Sequence, residues 1–144
     1  MKELLAPLVI PEADVWMRAY SRSAPDPLVV HRFALLTRAR RVVLLGSVRQ
    51  ALLSQVQDER HFGRLAWILS GWPDLPLRTS DHERGAGFMR QLGQMGVAIQ
   101  PAQAVMWSVA ERLGALVWSG NRTWQALVQH GCPWLTGSSE GVLK

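Results

Sequence analysis

Two carboxylates and two amides are the side chains of this chain best spaced for chemistry. Glu12 and Asp14 stand two residues apart, just after an apolar run that ends at Ile10. Carboxylates at a strand end supply oxygen ligands and negative charge together, which is what a hard divalent cation requires. Gln103 and Asn121 each follow an apolar run, residues 97–99 and 115–118. Parallel α/β sheets bind ligands outside the carboxyl ends of their strands, and the spacing predicts that both amides fall there. An amide keeps the oxygen but carries no charge. Glu12 and Asp14 alone would hold at most a weak Mg²⁺ or Mn²⁺.

The elements that must position these groups alternate along the chain. Residues 4–10 read as a first strand, interrupted by Pro7, and residues 13–21 as a short helix. Residues 28–38 form a second helix with Val29, Phe33 and Leu36 on one face. Residues 41–45 read as a second strand, and Ser47 as the cap of the helix that carries Val48, Leu52 and Val56. Residues 61–69 are helical. Ser80 or Asp81 caps a further helix that runs to about Met95, with Glu83 at the third helical position. Residues 97–99 are a strand, Pro101 opens a helix with Val105, Val109 and Leu113 at helical spacing, and Gly114 ends it. Residues 115–118 are the next strand, 119–121 a turn, and 123–129 a last helix. Strands alternating with helices predict an α/β three-layer sandwich with a central parallel sheet. Residues 1–136 are expected to form one domain and 137–144 a flexible tail.

The composition narrows the function classes. With 48% hydrophobic and 19% charged residues, the chain is globular. Cys132 is the only cysteine, so no internal disulfide forms, which suits a reducing cytoplasm, and Cys132 reads as structural. No signal-peptide pattern is visible, and no apolar stretch approaches the ~20 residues of a membrane span. His31, His61, His82 and His130 lack metal-ligand spacing, and no phosphate-binding glycine loop occurs. The net charge is +5, with fourteen Arg against two Lys. That balance is compatible with nucleic acid, although a GC-rich genome produces the same bias. Arg38, Arg40 and Arg41 form the densest basic cluster. Of seven Trp, residues 16, 67, 107, 118 and 124 read as core, while Trp72 and Trp134 read as possible exposed anchors.

Glu12-Ala13-Asp14-Val15-Trp16, the helix start from Ser47 to Leu53, the segment from Asp81 to Gly96, Gln103 with Ala110 seven residues on, and Val117-Trp118-Ser119-Gly120-Asn121 occur in one order. In that order and spacing they resemble the PIN domain, and within it the VapC-type toxin ribonucleases. The resemblance covers about residues 8–134. It implies a PIN-like fold and a site of four acidic groups that holds Mg²⁺ or Mn²⁺ for RNA hydrolysis. It places Glu12 and Asp14 at the first acidic motif, Gln50 at a glutamate, Gln103 and Asn121 at aspartates, and Ser119 as a supporting hydroxyl. Three amides at acidic positions imply a degenerate site. The expectation is a catalytically inactive protein that binds RNA or a protein partner, with no resident cofactor. Two alternatives stay open: an endoribonuclease toxin with altered ligands, using Glu12, Asp14 and Asp81 or Glu83, and a dimerisation scaffold without nucleic acid. An antitoxin-like partner and a homodimer are implied by the resemblance alone. Plainer roles also stay open: Glu12 in an exposed turn, Asp14 as a helix cap, Gln50 as a polar group beside the core, and Gln103 hydrogen-bonded to Asn121.

Overall fold

The computed structural model describes residues 7–20 and 25–136. The tail expected at 137–144, the start of the first strand and the end of the first helix lie outside the described residues. Ten elements follow one another: β1 (Val9–Pro11), α1 (Ala13–Tyr20), α2 (Pro27–Arg38), α3 (Gly46–Ser54), α4 (Glu59–Leu69), α5 (Thr79–Gln94), α6 (Pro101–Leu113), β2 (Leu116–Ser119), α7 (Arg122–Val128) and β3 (Trp134–Thr136). The strands form a parallel sheet in the order β1-β2-β3. Pro11 pairs with Trp118, and Trp118 with Leu135. Val9, Ile10, Val117, Trp118 and Leu135 are wholly buried. Continuous burial is the mark of a parallel sheet covered on both faces.

Two of the expected strands are not strands. Residues 41–45 make only isolated parallel bridges, Val9 with Val42 and Leu44 with Asp74. Residues 97–99 make none among the described residues. In each, the first N–H of the run is already spent on the helix before it. Arg41 N donates to Leu36 O at 2.9 Å, and Val97 N to Leu92 O at 2.8 Å. These are six-to-one closures around a left-handed residue, Arg40 (φ 58°) and Gly96 (φ 78°). The same closure precedes β2, where Ala115 N donates to Ala110 O at 2.8 Å around Gly114, so it ends the helix without by itself barring a strand. Residues 41–44 still lie beside β1, since Val43 N donates to Val9 O at 2.9 Å.

Helix starts also differ from the sequence in detail. Asp26, Asp58 and Asn121 cap α2, α4 and α7 with side-chain oxygens, and Pro27 and Pro101 sit in the first turns of α2 and α6. Leu45, not Ser47, occupies the cap position of α3, with no side-chain bond. Asp81, not Glu83, is the third residue of α5, and its carboxylate accepts the Arg78 N–H at 2.9 Å. Gly114 closes α6 as expected, in the left-handed region at φ 63°.

Helix α1 packs against β1, β2, α2 and α3. Helix α6 packs against β1 and β2, and α5 packs on α6. Gly85 permits that last contact, because a Cβ there would come within 3.3 Å of Ala104 and Val105 backbone. Phe88 stacks on Trp107 with ring centroids 4.0 Å apart. Trp16, Phe33 and Trp72 meet edge to face, so Trp72 is half-buried packing and not an exposed anchor. Trp67 reverses expectation: it is 77% exposed. The outward face of α4 carries it, whereas Leu65 and Ile68 are half-buried and Leu69 is buried.

Candidate functional site

The parallel register brings residues distant in sequence to one edge. Pro11 lies beside Trp118, so the next residues, Glu12 and Ser119, meet at the carboxyl ends of β1 and β2. Glu12 N donates to Trp118 O at 2.9 Å, which carries the ladder one step past the strand. The Glu12 carbonyl then accepts Val15 N and Trp16 N and starts α1. Asp14 therefore stands in the first turn of α1, and its carboxylate leans across to the end of β2.

Ser119 is the hub. Its side chain is fully buried. Its Oγ donates to Glu12 Oε2 at 2.8 Å, lies 3.2 Å from Asp14 Oδ1, and accepts Asn121 N at 3.0 Å. One hydroxyl has one proton, so it serves one carboxylate at a time. Gly120 N donates to Asp14 Oδ2 at 2.7 Å, a charge-assisted bond. From β3, Trp134 Nε1 donates to Ser119 O at 3.0 Å, which gives that half-buried Trp a positioning role.

The two acids have different surroundings. Burial pushes the Glu12 carboxyl above its ordinary value of 4.5. The Ser119 hydroxyl and the Trp124 indole pull it back, and the Asp14 charge pushes it further up. The Trp124 N–H is buried and falls short of hydrogen-bond geometry with any partner, yet it faces this carboxylate.

A guanidinium completes the edge. A Cβ on Gly120 would stand 3.1 and 3.2 Å from the two terminal nitrogens of Arg18, and 3.1 Å from Asp14 Oδ2. Gly120 is thus a close approach, with Arg18 and Asp14 folded over its Cα. Asp14 and Arg18 are four residues apart on α1, with the acid N-terminal, the favourable order for a helical pair.

The amides are placed unequally. Asn121 Oδ1 accepts Thr123 N at 3.1 Å and caps α7, while its backbone N–H joins Ser119. Gln103 does not follow a strand; it lies in the first turn of α6. There its Oε1 accepts Gln100 N at 3.1 Å and its Nε2 donates to Thr123 Oγ1 at 3.1 Å. The two amides meet through Thr123 and not directly. Gln50 is exposed on α3, and no hydrogen bond joins it to the Glu12 group. Gly120, Trp124, Trp134 and Arg18 are the participants that motif spacing did not single out. Only Arg18 had a sequence signal, its helical distance from Asp14.

Elsewhere, charged groups serve the fold. Asp81 is 2% exposed and takes both of its oxygens to Arg112, at 2.8 Å each, tying α5 to α6. Arg49 holds Asp74 at 2.8 Å and the Leu69 carbonyl at 3.0 Å, and also binds the Trp72 carbonyl. Cys132 is buried, and burial pushes its thiol up to about 12, so it stays a protonated packing group. Among the described residues, no group of three or more His, Cys, Asp or Glu converges. An apolar groove of about 280 Å³ opens between α1, α3 and α4, lined by Trp16, Met17, Tyr20, Leu52, Val56 and Leu65.

No protein-family model matches this sequence, and no curated protein does. In fold it is similar to a chain in the crystal structure of VapBC2 from Rickettsia felis bound to a DNA fragment from their promoter. The TM-score is 0.63 with 16% identity, and the match covers 80% of this chain and 88% of that one. The likeness is one of fold, a PIN-like α/β arrangement in which the described residues form seven helices and a small parallel sheet.

Proposed function

We propose that this chain is a VapC-like protein of PIN fold that works by binding and does not cleave RNA. The observation that carries the reading is the state of the two acids. Glu12 Oε2 takes the Ser119 hydroxyl and Asp14 Oδ2 takes the Gly120 N–H, so one oxygen of each acid already holds a donor. A hydrated Mg²⁺ or Mn²⁺ needs carboxylates free to ligate, and charge to draw it in. Two engaged carboxylates with neutral amides around them fit such an ion poorly. The other acids proposed as shifted ligands do not help: Asp81 is committed to Arg112, and Glu83 lies exposed on α5.

The partner best supported is an antitoxin-like protein chain. The groove between α1, α3 and α4 is apolar enough to take the face of a helix, and the fold neighbour is itself a two-component assembly. RNA is a second reading, favoured by the +5 charge and by the exposed Arg60, Arg64 and Trp67 along α4. A homodimer and a cytoplasmic setting belong to the same proposal, as does a three-layer arrangement with α1 and α6 on opposite faces of the sheet. Among the described residues no helix is long and apolar enough to cross a membrane.

The test is incubation of the purified chain with end-labelled RNA and Mn²⁺, beside a Glu12→Gln control. Intact RNA in both supports the reading. Cleavage that is present in the wild type and lost in the control overturns it.

A further inference from the structure

We propose that Arg18 supplies the site with its cation, so that the chain's own guanidinium stands beside Asp14 in the space a metal would otherwise take. The inference rests on the reading above, that this edge does not hold a catalytic metal, and adds what replaces it.

Three observations carry it. Both terminal nitrogens of Arg18 and Oδ2 of Asp14 lie within 3.2 Å of one point, the place of a Cβ on Gly120. Opposite charges that close attract one another strongly. The residue at that point is glycine, and a Cβ there would stand only 3.1–3.2 Å from Arg18 and Asp14, so both would have to give by a few tenths of an ångström. The adjacent Gly120 N–H already fixes the orientation of Asp14, whose Oδ2 lies on the side of the guanidinium.

An exposed helical Asp–Arg pair is normally worth little. This one differs because its acid is pinned by a backbone N–H, with a second, half-buried carboxylate held by the hydroxyl beside it. A cation beside Asp14 offsets the charge of that carboxylate and repels a second cation from the same space.

The experiment is calorimetric titration of Mn²⁺ into the wild type, Arg18→Gln, Arg18→Lys and the double variant Arg18→Gln/Asp14→Asn. Arg18→Gln is expected to bind Mn²⁺ at least about tenfold more tightly than the wild type. Arg18→Lys should behave as the wild type does, and the double variant should lose the gain. Equal Mn²⁺ affinity in the wild type and Arg18→Gln overturns the inference. Thermal midpoints of Arg18→Gln, Asp14→Asn and the double variant give a second readout that needs no metal. Non-additive losses support the pair, and additive ones sink it. Tight Mn²⁺ binding with RNA cleavage in the wild type is a different result, which removes the non-cleaving reading itself.

Discussion

Asp81 and Glu12 are both acids taken out of water, and their environments push them in opposite directions. Asp81 meets a guanidinium fork in bidentate geometry, so the Arg112 bonds hold its carboxyl below the ordinary 3.8 despite burial. Glu12 has one hydroxyl and a misaligned indole, and burial wins, raising it above 4.5. The first is a staple between two helices. The second is a group kept at a cost to the fold, and such groups cluster where a protein binds or reacts. The sheet edge therefore stands out from the α5–α6 seam by its incomplete pairing, since both regions contain acid.

The largest effect should come from breaking the complete pair. Arg112→Leu leaves Asp81 buried without its cation and should cost about 2–3 kcal/mol in urea unfolding at pH 7. The figure sits below that for a deep pair because Arg112 is 21% exposed and water can reach the wound. A loss under about 0.5 kcal/mol would mean that the pair is no staple. Ser119→Ala comes next. It strips Glu12 of its donor and Asn121 N of its acceptor, and should cost about 1–2 kcal/mol. Asp81→Asn and Glu12→Gln then separate the two acids by sign.

The pH dependence follows from the two directions. Asp81 has its pKa lowered on folding, so its contribution is present above 3.8 and fades as pH falls through the lower folded value. Asp81→Asn should destabilise at pH 7, with the gap closing at acid pH. Glu12 has its pKa raised, so its contribution is complete below 4.5 and is lost as pH rises through the folded value. Glu12→Gln should therefore stabilise the chain at pH 7, by less than the Ser119 effect, and match the wild type near pH 4. Urea midpoints at the two pH values check both signs. If both variants move the same way, the contrast between the regions is wrong.

The sequence showed the α/β order well because helices announce themselves: the apolar face of α2 and the Pro101 start and Gly114 stop of α6 are local signals. Strands were overcounted for a non-local reason, since a ladder needs a partner in register: 41–44 meet theirs only at isolated bridges, and 97–99 at none among the described residues. Trp67 misled because an apolar helix window does not reveal which residue turns outward. At the site, Glu12 and Ser119 could be juxtaposed only through the parallel register of β1 with β2. Asp14, read partly as a cap, reaches away from its own helix to a glycine 106 residues on. Spacing within a motif cannot disclose such a partner.

The smallest effects test how far the edge extends, through the two glutamines that the sequence treated alike. Gln103 closes the first turn of α6 on Gln100 N and holds Thr123 of α7, a solvent-exposed residue. Gln103→Ala should cost about 0.5–1 kcal/mol, the worth of one half of a capping box in partial contact with water. Gln50 has no such bond and faces solvent on α3. Gln50→Ala should fall within about 0.5 kcal/mol of the wild type, and should leave the Mn²⁺ response of Arg18→Gln untouched. A Gln50 substitution that abolished that response would bring α3 into the edge, and would make the site a four-sided cleft and not the two-strand edge that the hydrogen bonds describe.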